Sequence, residues 1–208
     1  SKEINYEKNP ILMIALYGVT SSDSNSGDNG KMRGSGEKEG NEFITVLTWK
    51  DCSPKPKYTE VCKSEKHMLE RVGELISEFD PDILTGYYSD GFDLPYIKTR
   101  ADKLGVVLSW GAFGSELHVG RRSGMRNQEC SILGIVHIDV CKFVQNIFGK
   151  NLKTDSYSLD AVAGELLDEK KLVVNLDELG RIWDSKSNEL GKYIEYHLRD
   201  AKLTWRLC

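Results

Sequence analysis

Two short stretches carry the residues able to do chemistry: Tyr87-Tyr88-Ser89-Asp90-Gly91-Phe92-Asp93 and Tyr196-His197-Leu198-Arg199-Asp200. Each ends in an aspartate. Residues four apart on a helix share a face, so Tyr196 and Asp200 can bring a phenol hydroxyl and a carboxylate to one place. Each stretch also has a bland reading. A Phe-Asp pair at a helix start is commonly a cap, and Tyr-x-x-x-Asp is commonly a solvated helical pair.

The elements that must position these residues follow from hydrophobic patterning. Ile11 to Tyr17 and Phe43 to Trp49 are β-compatible apolar runs that read as two adjacent buried strands. Between them, fifteen of the twenty-one residues from Ser21 to Asn41 are Ser, Gly, Asn or Asp, a composition expected to stay flexible. Ser64 to Phe79 carries Met68, Val72, Leu75, Ile76 and Phe79 at helical spacing and ends at Asp80-Pro81. Ile83 to Tyr87 reads as a short strand, and a helix from Leu94 through Lys103 is closed by Gly105. A hairpin over residues 111–135 carries the basic tip Arg121, Arg122 and Arg126, either a phosphate-tracking loop or a solvated turn, and leads into a strand over Ile135 to Asp139. Helical patterns over Val140–Phe148, Ser158–Leu167 and Leu190–Leu207 complete an α/β chain, read as a single domain over 1–208.

Net charge is −4 from 28 basic and 32 acidic residues, so any nucleic-acid site must be a local patch. No apolar run is long enough to span a bilayer, and no partner membrane is expected. The five cysteines are scattered, with no CxxC spacing, and read as free thiols in a reducing compartment.

The phrases PDILTGYYSDGFDLPYIKTRADKLG, HIDV, YSLDAVAGELL and YHLRDAKLTW, in this order, resemble the 3′→5′ proofreading exonuclease domain of family B DNA polymerases, the archaeal and eukaryotic type in particular. The resemblance runs from about Pro10 to the C-terminus. It implies a ribonuclease-H-like (DnaQ-like exonuclease) fold, a mixed five-stranded sheet flanked by helices. It also implies that Asp93 and Asp200 are metal ligands and catalytic residues, with Tyr196 positioning the attacking water. The cofactors would be Mg²⁺ or Mn²⁺, two ions about 4 Å apart that stabilise the attacking and leaving oxygens of phosphodiester cleavage. Phe92 and the Ser158-Leu159 pair would contact the single-stranded DNA of a primer 3′ terminus, although Ser158 is also a good helix cap. His137 and Asp139 match a structural strand motif, and Lys170 and Lys171 read either as a basic element near the scissile phosphate or as a solvated pair. The partners would be the polymerase domains of a longer chain. The location would be the nucleoid-bearing cytoplasm of a prokaryote or the nucleus of a eukaryote.

The chain departs from that family in two places. The family's first motif, Asp-x-Glu on an opening strand, falls before Ser1 by analogy, so the chain is expected to be a fragment lacking its opening catalytic strand, with Glu3 or Glu7 as the only nearby substitutes. Tyr88 replaces an asparagine, and a phenol there can stack on a base. Two function classes therefore stand: an exonuclease domain inactive as this fragment, or a degenerate, non-catalytic fold serving as a structural or DNA-binding module.

Overall fold

The computed structural model describes residues 4–20, 37–39, 42–121, 128–149, 151–154, 156–169, 178–184 and 189–208. Strand β1 (Met13–Val19) pairs antiparallel with β3 (Glu42–Thr48), with Met13 opposite Thr48 and Val19 opposite Glu42. The two apolar runs are thus neighbours, as expected. A short strand β2 (Glu37–Glu39) adds to β3 from within the stretch expected to be flexible. It corrects that expectation for three residues, because backbone pairing to a buried strand does not require apolar side chains. Residues 21–36, 40 and 41 lie outside the described residues. Strand β4 (Thr59–Val61), which lacks an apolar run of its own, pairs parallel with β3.

Strand β3 is buried from Phe43 to Thr48, and its side chains alternate between two cores. Phe43 and Leu47 pack with Met68, Leu69, Val72 and Leu75 of helix α1 (Glu65–Phe79) and with Leu94 and Ala101 of helix α2 (Asp93–Leu104). Ile44 and Val46 pack on the other face, against Ile182 and Trp183 of α5 (Leu179–Asp184) and Leu190, Tyr193, Ile194 and Leu198 of α6 (Leu190–Arg206). Helices therefore cover both faces of the sheet. Ser64 caps α1 by accepting from the His67 N–H, and Asp80 ends it in the left-handed conformation. Gly105, at φ 67°, closes α2.

Strand β5 (Ile83–Gly86) pairs parallel with β8 (Val136–Asp139) as a separate sheet. Strands β6 (His118–Arg121) and β7 (Gln128–Ser131) form the expected hairpin, whose residues 122–127, including Arg122 and Arg126, lie outside the described residues. The expected single five-stranded sheet is thus replaced, among the described residues, by three smaller ones. The physical reason is that no backbone ladder joins β1 to β5. Helix α6 bridges the break by packing on β1, β3 and β5. Leu203 in its second half and Leu207 just after its end join helices α3 (Val140–Phe148) and α4 (Leu159–Leu167). All five cysteines are free, and no described helix is long and apolar enough to cross a membrane.

Candidate active site

The Tyr87–Asp93 stretch leaves β5 through a turn held from below by β8 and α3. Tyr88 adopts a left-handed backbone at φ 59°, a costly conformation for a non-glycine residue. Asp139, at the end of β8, offsets that cost. Its Oδ1 accepts from the Tyr88 N–H at 3.1 Å and its Oδ2 from the Asp90 N–H at 3.1 Å, while Oδ1 also caps α3 by accepting from the Lys142 N–H. Ser89 Oγ lies 2.9 Å from His137 Nε2. The buried Asp90 accepts from the Cys130 N–H at 2.7 Å and pairs with the Lys142 ammonium. His137 and Asp139 thus hold the loop leading to Asp93.

The Tyr88 ring packs over Gly91, where a Cβ would meet its far edge at 2.4 Å and push the ring aside. The side chain is otherwise open to solvent, with Tyr88 55% exposed. Phe92 is instead engaged within the protein. Its ring meets Tyr6 edge-on at 5.9 Å and Tyr96 at 5.6 Å, and Tyr6 stacks on Tyr96 at 4.7 Å. Asp93 opens α2, where a carboxylate is favoured by the helix dipole. Asp93 still reaches solvent, yet the protein packed around its carboxyl pushes its pKa up to about 6, with the charge of Asp139 adding to the effect.

The second group lies on α6 where the helix passes from the sheet core to α3 and α4. Tyr196 and Asp200 stand one turn apart on α6, as their spacing predicts, and each acts on the other's titration. Burial first, and then the charge of Asp160, push Asp200 up to about 6, while Tyr196 and Arg199 act in the opposite direction. Burial and the neighbouring carboxylates push the Tyr196 phenol up to about 12, so it stays protonated at neutral pH. Burial pushes His197 down to about 4, leaving it neutral. Arg199 reaches across to α4 and pairs with Asp160 at 3.1 Å, lying 4.0 Å from Asp200 Oδ1. That Asp200 oxygen is buried with no hydrogen-bond partner. An orphaned carboxylate oxygen suits a hard cation, which prefers oxygen ligands.

Ser158 is the N-cap of α4, accepting from the Ala161 N–H at 3.4 Å, and Leu159 packs at the margin of the α3–α4–α6 core. The structure therefore shows the capping role at Ser158. Among the described residues no three or more His, Cys, Asp or Glu side chains converge as a metal-binding group. The charges acting on the two aspartates differ, Asp139 beside Asp93 and Asp160 and Arg199 beside Asp200. Glu7 uses its backbone carbonyl to accept from Arg100 at 2.8 Å, and Glu3, Lys170 and Lys171 lie outside the described residues. Sequence reasoning missed Asp160, Arg199, Asp90 and Lys142. The one available signal was an acidic residue in the first turn of the helix that Ser158 starts.

Comparison with known proteins gives a family match. A model described as DNA polymerase family B, exonuclease domain, matches residues 1–162, a span that includes Tyr88, Phe92, Asp93, Ser158 and Leu159 and stops short of Tyr196 and Asp200. A DNA polymerase of Pyrococcus glycovorans is 34% identical over 166 residues, covering 80% of this chain and 20% of the relative. DNA polymerase 1 of Pyrococcus abyssi is 33% identical, and a DNA polymerase of Thermococcus gorgonarius 31%, over the same shares. The chain spans about a fifth of the length of these relatives.

Proposed function

Because the chain belongs to the exonuclease domains of the family B DNA polymerases, we propose that it forms the 3′→5′ proofreading site of a DNA polymerase, acting on the single-stranded 3′ end of a primer. The observation that carries this reading is the buried Asp200 oxygen without a hydrogen-bond partner, beside the protonated Tyr196 phenol. Asp93 and Asp200 would hold Mg²⁺ or Mn²⁺, which when bound stabilises the attacking and leaving oxygens of phosphodiester cleavage. The Tyr196 hydroxyl orients a water toward the phosphorus. Tyr88, fixed by Asp139 and open to solvent, stacks on a base near the 3′ terminus, and Ser158 and Leu159 at the start of α4 border the strand.

A ribonuclease-H-like fold is part of the proposal. A strand paired with both β1 and β5 would fuse their two sheets into one, and α6 already packs on both strands. An Asp-x-Glu motif on such a strand would add the carboxylates that the two aspartates lack. With Asp93 and Asp200 alone, hydrolysis by these 208 residues should be slow. The polymerase domains of a longer chain are the proposed partners, in whichever compartment holds the DNA. The absence of a three-donor group among the described residues favours a second reading, a DNA-binding module without chemistry.

Tyr88→Ala should weaken binding of a 3′-hydroxyl single-stranded oligonucleotide about 5- to 100-fold, the worth of one stacked base. Fluorescence anisotropy in Ca²⁺ measures this. Unchanged affinity in the variant, or equal affinity for blunt duplex, would remove Tyr88 from the site.

A further inference from the structure

A buried carboxylate other than Asp93 and Asp200 ties three separate pieces of the chain together. The backbone N–H of Asp90 is taken by Asp139, but its side chain reaches the hairpin. Oδ1 accepts from the Cys130 N–H of β7 at 2.7 Å, and Oδ2 accepts from the Lys142 ammonium. Lys142 also donates to the Gln128 carbonyl at 2.8 Å, so it bridges Asp90 to the start of β7. His137 spans the same two pieces, with Nδ1 3.2 Å from the Cys130 carbonyl oxygen and Nε2 2.9 Å from Ser89 Oγ. A cation in the first turn of a helix is disfavoured by the helix dipole, and Lys142 stands there in α3. The Asp90 carboxylate offsets that penalty.

We infer that Asp90 is a positioning residue for Tyr88, coupling the β6–β7 hairpin to the turn that runs from Tyr88 to Asp93. Tyr88 leaves β5 with a left-handed backbone, a conformation that persists only where its surroundings hold it. Asp139 holds the turn from the α3 side through two N–H groups, and Asp90 fastens it from the hairpin side. A displacement of β7 therefore pulls on the turn, and a displacement of the turn pulls on β7. The binding arm of the experiment rests on the reading of Tyr88 as a DNA contact, and the exchange arm does not.

The sign of the effect separates positioning from plain electrostatics. Removing a carboxylate near a DNA strand strengthens binding by Coulomb attraction alone. Positioning gives the reverse. Asp90→Ala should weaken binding of a 3′-hydroxyl single-stranded oligonucleotide about fivefold, because only part of the population then presents Tyr88. In a Tyr88→Ala background the same change should weaken binding no further, since the residue being positioned is gone. Asp90→Asn keeps one acceptor oxygen and should recover part of the loss. The His137 link survives in each variant, so the hairpin and the turn are loosened and not released.

Fluorescence anisotropy in Ca²⁺ and hydrogen exchange followed by mass spectrometry, both on the full 208-residue chain, make the test. In Asp90→Ala the amides of residues 87–93 and 128–131 should exchange together about tenfold faster while those of α1 keep their protection. Lys142→Met, which leaves the Cys130 bond in place, should shift both segments the same way by less, and it carries the exchange test if Asp90→Ala does not fold. Faster exchange in one segment alone, or in neither, overturns the inference. Tighter DNA binding in Asp90→Ala, or a loss that persists in full in the Tyr88→Ala background, overturns it as well. If Tyr88→Ala binds the oligonucleotide as well as the wild type does, the reading of Tyr88 as a DNA contact falls, and exchange alone decides the coupling.

Discussion

Replacing Glu65 by alanine is expected to lower stability by about 3–5 kcal/mol, the cost of stranding a buried charge. Glu65, at the first turn of α1, meets Arg100 of α2 through two bonds, at 2.8 Å to Nε and 2.7 Å to Nη2. Both side chains are nearly inaccessible, at 6% for Arg100 and 9% for Glu65. The same carboxylate accepts from the Ile11 N–H at 2.8 Å, and Arg100 donates to the Glu7 carbonyl at 2.8 Å. The pair therefore fastens the segment before β1 to two helices. Loss of Glu65 leaves the guanidinium without its counter-charge and frees the strap that lays Tyr6 on Tyr96. Urea unfolding measures the effect. A paired Glu65→Leu, Arg100→Met variant should recover much of the loss, because no buried charge then remains. A cost below about 1 kcal/mol for Glu65→Ala would show that the pair is solvated.

Asp139→Ala is expected to cost about 3 kcal/mol and to loosen the turn before Asp93. It removes the acceptor for the Tyr88 and Asp90 N–H groups, of which the buried Asp90 donor left unpaired costs about 1–3 kcal/mol. It also removes the N-cap of α3, worth about 1 kcal/mol. These terms overlap, so they do not sum. Asp139→Asn keeps a cap and one acceptor oxygen and should cost about half as much. Hydrogen exchange separates the local effect from the global one. The Tyr88 and Asp90 amides should lose protection in Asp139→Ala before the α1 amides do, and equal loss everywhere would deny Asp139 its role at the turn.

What could be read from the sequence was what local pattern determines. Ser64, Gly105 and the 3.6-residue spacing of α1 and α6 act within one turn of the chain, and the helices they predict are found. The Tyr196–Asp200 pair was legible for the same reason. Helix α5 was missed because six residues carry little periodicity, and β4 because its pairing with β3 is not announced by its own residues. The ties that shape the site span long stretches of sequence. Asp139 reaches Tyr88 across 51 residues, Lys142 reaches Asp90 across 52, and Arg199 reaches Asp160 across 39. No local pattern marks such pairs. The reading of Phe92 as a DNA contact meets a similar limit, since its aromatic partner Tyr6 lies far upstream and already occupies one edge of the ring.

We propose that Asp93 and Asp200 serve one cation-dependent cleavage of a DNA 3′ end. Release of label from 3′-labelled single-stranded DNA in Mn²⁺, compared between the chain and its Asp93→Asn, Asp200→Asn double variant, tests it most directly. Slow, Mn²⁺-dependent release that the double variant lacks is the expected result. Release that persists undiminished in the double variant would contradict the assignment of both aspartates, and rapid trimming in Mg²⁺ would contradict the claim that these residues are short of carboxylates.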